Sequence, residues 1–188
     1  SNSEVSISVK PTNFLRISLS PGYNISKEEL QYVSTEKYGV DDRYIFGTIN
    51  QQTLSASLRI NLNLSPDLTL QYWGQPFVAT GKYTQHKFIT DPLADGFQNR
   101  FTIYDENQIT YNEPDNLYEI DENRDGTIDF NFDNRDFNVQ EFLSNLVLRW
   151  EYNPGSSVYL VWSQTRNGYN PNGHMNVGED LGNLFDSD

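Results

Sequence analysis

The stretch 53–77, TLSASLRINLNLSPDLTLQYWGQPF, decides the fold. Leu54, Ala56, Leu58, Ile60, Leu62 and Leu64 fill its even positions, and Ser55, Ser57, Arg59, Asn61 and Asn63 the odd ones between them. A period of two puts one kind of side chain on each face of an extended strand. Ser65-Pro66-Asp67 then supplies turn chemistry. Leu68, Leu70 and Tyr72 resume the apolar face, and Thr69 and Gln71 the polar one. The stretch is therefore a β-hairpin with one oily and one wet face. A half-buried soluble sheet has such faces, and so does a barrel strand with lipid outside and water inside.

Two further hairpins flank it. Val5, Ile7 and Val9 alternate with polar residues up to a turn over 10–13, and Leu15, Ile17 and Leu19 alternate after it. Leu146, Leu148, Trp150 and Tyr152 lead into Asn153-Pro154-Gly155, followed by Val158, Leu160 and Trp162. Pro21-Gly22 reads as an interruption, and 38–42 as a turn joining two strand ends. A strand over 43–64 is far longer than the ~5–6 residues usual in soluble sheets. The region 78–99 reads as a loop with one short strand at 87–89. Short strands are expected at 101–104 and 117–120, and 138–144 fits either a short helix or a strand start. The segment 165–188, rich in Gly, Asn and Asp without a period, reads as a loop-like tail.

The short turns at 10–13, 65–67 and 153–155 alternate with long connections. In an up-and-down meander this sorts the short turns to one pole, as in outer-membrane barrels. The expected architecture is all-β: an antiparallel up-and-down meander of about six long strands, part or all of a β-barrel, in a single domain over 1–188. Six strands are fewer than the ~8 of the smallest single-chain barrels, so the sequence reads as a fragment lacking strands at one or both ends. Ser1-Asn2-Ser3 reads as a protease-cleavage remnant rather than a native start.

Composition narrows the functions. Thirteen basic residues against 26 acidic ones leave a net charge of −13, which argues against nucleic-acid partners and against docking on anionic headgroups. With no cysteine there is neither a disulfide nor a thiolate ligand or nucleophile. Twelve Tyr, 11 Phe and 3 Trp form a β-rich palette. No apolar run approaches the ~20 residues of a membrane helix, a fact that leaves a barrel open.

The blocks 57–61, 70–77 and above all 145–164, NLVLRWEYNPGSSVYLVWSQ, resemble the C-terminal region of a family of Gram-negative outer-membrane proteins. Those proteins carry an N-terminal carbohydrate-binding domain of the family-nine type, followed by a long β-rich region of unassigned function. The resemblance extends from about 11 to 185. It implies an outer-membrane location and a glycan-related binding or transport role. It supplies no catalytic residue, and no sugar-binding domain lies within this chain.

One stretch has metal-binding spacing. The segment 121–129, DENRDGTID, matches the first nine positions of a calcium loop, with oxygen ligands at Asp121, Asn123, Asp125, the Thr127 carbonyl and Asp129, and Gly126 at the sharp turn. The twelfth position, which should be Glu, is Phe132, so a solvated acidic turn is an equal alternative. Arg16, Arg59, Arg149 and Glu151 fall on polar strand faces near short turns. They suit a lumen lining or a structural ion-pair ladder. His86 and His174 stand far apart, no nucleophile motif is present, and no carboxylate pair stands out. The expected partners are the lipid bilayer or remaining barrel strands, a glycan ligand, and further copies through open sheet edges. The rival reading is a soluble β-sandwich or small-barrel binding module stabilised by calcium. Catalysis is expected under neither.

Overall fold

The structure is a computed structural model that describes the backbone of residues 2–186 and the side chains of 5–185. Ser1 of the cleavage-remnant reading, and Ser187 and Asp188 of the tail, lie outside the described residues. Among the described residues, eleven strands and one α-helix follow in order. They are β1 (Asn2–Glu4), β2 (Ile7–Thr12), β3 (Leu15–Tyr38), β4 (Asp41–Ser65), β5 (Leu68–Ile89), β6 (Phe101–Ile103), β7 (Ile109–Asn112), β8 (Leu117–Ile120), β9 (Phe130–Asp133), β10 (Phe137–Asn153), β11 (Ser156–Asn170) and α1 (Val177–Asp186). The antiparallel main sheet runs β1-β3-β4-β5-β10-β11, with β2 also on β3 and β6 also on β5; β7-β8-β9 form a second sheet. The fold is the expected all-β antiparallel meander. Its order is open, with β11 at one end and β1 and β2 at the other.

The long strands exceed the expectation. Pro21-Gly22 does not interrupt β3. Pro21 directs its carbonyl at the Val5 N–H, 3.2 Å away, opposite the gap between β1 and β2, so its missing N–H forfeits no ladder bond there. Residues 78–89 are not loop but the second half of β5. Residues 138–144 are strand, the start of β10. The tail is ordered too: 165–170 completes β11, and 177–186 forms α1. Strands β7 and β9 were not expected, although Phe130 and Phe132 alternate with Asn131 and Asp133 along β9.

Asn63 donates its N–H to the Phe14 carbonyl at 2.8 Å, and Glu151 to that of Asp67 at 2.8 Å. The turns at 13–14, 66–67 and 154–155 therefore lie side by side, at the common pole expected of the meander. The turn at 39–40 closes the far ends of β3 and β4 and is just as tight, so the span 21–42 is not a long connection.

The chain divides into two compact units. The first comprises 1–26, 52–80 and 137–188, and the second 27–51 and 81–136; β3, β4 and β5 contribute to both. The second unit holds most of the core. Ile45 and Ile120 are both 0% exposed, with Val33, Ile49, Phe101 and Phe132 also buried. In the first unit none of the alternating leucines of β4, β5, β10 and β11 is buried. Burial there is found at residues such as Val78 and Phe142, and at Leu184 of α1 itself.

Candidate functional site

In the first unit the sheet presents two unlike faces. Arg16, Lys10, Asn61 and Asn63 share one shallow depression, and Arg59, Asn61, Gln71, Trp73 and Asn145 share another. Asn61 belongs to both, which places these side chains on one polar face. Trp73 Nε1 donates to Ser57 Oγ at 3.1 Å, and Ser163 Oγ to Asn145 Oδ1 at 2.6 Å. Arg149 and Glu151 are set apart from this group. Arg149 Nη2 meets Glu151 Oε2 at 2.6 Å, and Glu151 Oε1 accepts the Gly155 N–H at 3.1 Å. That N–H and the guanidinium hold the Glu151 carboxyl below the usual carboxylate range. The structure thus gathers Arg16 and Arg59 around neighbouring depressions and ties Arg149 and Glu151 to the 154–155 turn, where Gly155 has φ +79°. Such a φ suits glycine alone at little cost.

The opposite face carries the leucine stripe. On β10 and β11 it pairs Leu146 with Trp162, Leu148 with Leu160, and Trp150 with Val158. Leu160 and Trp162 are 64% and 63% exposed. Farther along the same face, by the two-residue period of β10, lie Asn138, Gln140 and Phe142, and here α1 docks. The Phe142 and Phe185 rings are 4.8 Å apart, and Arg166 Nη1 donates to the Leu184 and Phe185 carbonyls at 3.2 and 2.7 Å, a cation at a helix C-terminus. Asp180 is buried, accepting from Asn138 Nδ2 at 2.8 Å and from the Asn176 N–H at 2.9 Å. Asn176 before Val177, with Leu181, Leu184 and Phe185 at helical spacing, was the available signal; Gly178 and Gly182 obscured it.

The second unit holds the acidic loop. Asp121 accepts the N–H groups of Asp125 (3.1 Å) and Gly126 (2.8 Å), and Asn123 Oδ1 accepts that of Asp125 (2.9 Å). Asp125 Oδ1 accepts the Thr127 N–H (2.8 Å), and Asp129 Oδ2 that of Glu122 (2.8 Å). The Thr127 bond is the main reason the Asp125 carboxyl sits below its ordinary range. Gly126 has φ +88°, as the turn demands. Among the described residues, no three His, Cys, Asp or Glu side chains gather as a metal group.

Sequence reading missed what anchors this loop. Glu122 receives a two-pronged grip from Arg43, with Nε at 3.0 Å and Nη2 at 2.9 Å, and the Tyr104 hydroxyl at 3.3 Å. The guanidinium lies 4.7 Å from the Tyr38 ring and 5.3 Å from that of Phe88. Deeper in the unit, His86 lies 4.4 Å from the Tyr118 ring and 5.3 Å from that of Phe132. Burial lowers its pKa to about 4. Lys87 is buried beside it and donates to the Glu29 carbonyl at 2.9 Å and Thr48 Oγ1 at 3.0 Å. Among the described residues, no carboxylate is recorded at hydrogen-bond distance from the side chain of His86 or Lys87.

The described residues thus form an all-β, antiparallel chain whose main sheet has one polar and one apolar face. A family model covers residues 1–188, and the chain belongs to that family, described as a domain of unknown function (DUF5916). No curated protein and no solved structure matches it.

Proposed function

We propose that the chain forms part of the wall of an outer-membrane β-barrel, takes part in binding or passing a glycan, and performs no catalysis itself. The observation that carries this reading is the uncovered leucine stripe. Residues 54–64 are apolar at every second position over the ~9–11 residues that a tilted membrane strand uses, and none of them is buried, with Leu181 of α1 beside Leu54 and Ala56 alone. Aromatic residues near the turns, Trp150 and Tyr152 among them, suit a membrane interface. The polar face, with Arg16, Arg59, Asn61, Gln71 and Trp73, would line the lumen, and Arg149 and Glu151 its rim. The glycan role rests on the family resemblance of 145–164.

Tryptophan fluorescence tests the reading. Trp150 and Trp162 lie on the apolar face and Trp73 on the polar one. In single-tryptophan variants reconstituted with brominated lipids, the first two are quenched and Trp73 is spared. A chain that is folded and monomeric in plain buffer, without detergent, overturns the reading.

A second reading rests on the acidic loop. Asp121, Asn123, Asp125, the Thr127 carbonyl and Asp129 would hold a calcium ion that stiffens the second unit, as in a calcium-stabilised binding module. Calorimetry with calcium and with chelator decides it: a melting temperature unchanged between the two removes the site.

A further inference from the structure

We propose that the polar face of the first unit binds an acidic saccharide. Lys10, Arg16 and Arg59 hold its carboxylates, and its rings lie along Asn61, Gln71 and Trp73. This deepens the glycan-binding part of the proposed function and rests on that part for the sugar, whereas the ligand's negative charge is read from the side chains themselves. The site is built on β3, β4, β5 and β10, with Lys10 added from β2. Each of those four strands has a neighbour on both sides, so the site does not depend on where the sheet ends.

Unpaired cations mark the place. Among the described residues, six basic side chains pair with a carboxylate. Three more donate to backbone carbonyls, and Lys82 is engaged as well. Lys10, Arg16 and Arg59 complete the 13 basic residues, and none of the three has a hydrogen bond or ion pair among the described residues. In a chain with 26 acidic residues, a free cation is the exception. These three are not scattered: they border two adjoining depressions that share Asn61, and no carboxylate lines either one. An ion-pair ladder would set an acid beside each, as Glu151 sits beside Arg149. Like charges gathered without a counter-charge repel one another, and a bound oxyanion relieves that repulsion.

The net charge of −13 does not oppose such a ligand, because its acidic residues lie mainly elsewhere. Over 1–26 and 52–80, three basic residues (Lys10, Arg16, Arg59) meet two acidic ones (Glu4, Asp67). Distant carboxylates are screened beyond about 8 Å at physiological ionic strength.

Shape favours a saccharide over a free ion. From Arg16 on β3 to Asn145 on β10 is three strand spacings, roughly 14 Å. That is too long for one phosphate and suits several linked rings. Arginine offers a planar fork that fits a carboxylate. Asn61 and Gln71 carry amides that both donate and accept, as sugar hydroxyls require. Trp73 is steadied by its bond to Ser57 Oγ at 3.1 Å and lines the second depression. Its indole gives the C–H face of a sugar an apolar surface.

Calorimetric titration compares a short oligogalacturonate with its methyl ester, which keeps the rings and loses the charge. The acid is expected to bind about tenfold more tightly. Arg16→Gln and Arg59→Gln should each weaken the acid about tenfold and leave the ester unchanged. Both side chains are exposed, so the circular dichroism spectrum should stay the same. Arg135→Gln, an equal loss of charge in the second unit, should leave both ligands alone. In the double variant Trp150→Phe, Trp162→Phe, Trp73 is the only indole, and the acid should shift its emission. Equal affinity for acid and ester overturns the proposal and leaves the glycan reading standing, whereas binding of neither overturns both. Inorganic phosphate bound as tightly as the acid, or an Arg135→Gln loss equal to that of Arg59→Gln, also overturns the proposal.

Discussion

The two units spend the same β-rich vocabulary differently. In the second, aromatic and branched side chains turn inward: Ile45 and Ile120 vanish from the surface, and Tyr118 and Phe132 enclose His86. In the first, Leu148, Leu160 and Trp162 keep strict alternation with no layer over them. The contrast shows that periodicity reports which residues share a face and says nothing of what covers that face. Cover comes from neighbouring elements, which only the second unit has in quantity.

The contrast breaks first at the core. Ile45→Ala or Ile120→Ala is expected to lose about 2–5 kcal/mol, the range for emptying a packed site. Leu160→Ala should cost less than about 1 kcal/mol in any state that leaves it exposed. Urea titrations of the three variants compare the units directly, and equal losses would show that the leucine stripe is covered in solution.

The second test is pH. His86 titrates near 4 when folded, against about 6.5 when unfolded. Below pH 6.5 the unfolded chain takes up a proton that the folded chain refuses. Its contribution to stability is therefore complete above pH 6.5 and falls progressively as the pH drops toward 4, by up to about 3 kcal/mol. Melting curves across this window should steepen in pH dependence for the native chain and flatten for His86→Phe.

The ion pair ranks third. Arg43 and Glu122 side chains are 23% and 11% exposed, and removing Arg43 strips the largely buried Glu122 carboxylate of its counter-charge. Arg43→Ala should cost about 2 kcal/mol, with the double variant Arg43→Ala, Glu122→Gln costing less than the sum of the single losses. Gly155→Ala is the smallest, about 1 kcal/mol for an alanine forced to φ +79°. Thermal melts resolve both.

Much of this was legible in the residues. Alternation at 54–64, 146–152 and 158–162, with Pro and Gly between, located β4, β5, β10 and β11, and turn residues marked all four tight turns, the one at 39–40 included. What was not legible depended on partners. Pro21-Gly22 reads as a break until the gap between β1 and β2 is seen beside it. Gly81 suggested a loop, but it is buried inside β5. Arg43 and Glu122 are 79 residues apart, and no local pattern links them. The candidate loop at 121–129 was visible as spacing alone, whereas its anchoring through Glu122 depends on a distant strand.

Lys87 turns the second unit into its own reporter. Its ammonium is closed in by a carbonyl, a hydroxyl and the Phe101 ring at 4.9 Å, so reagents reach it only when this half of the chain opens. Acylation timed against the open Lys37 would then clock how often this half of the chain breathes.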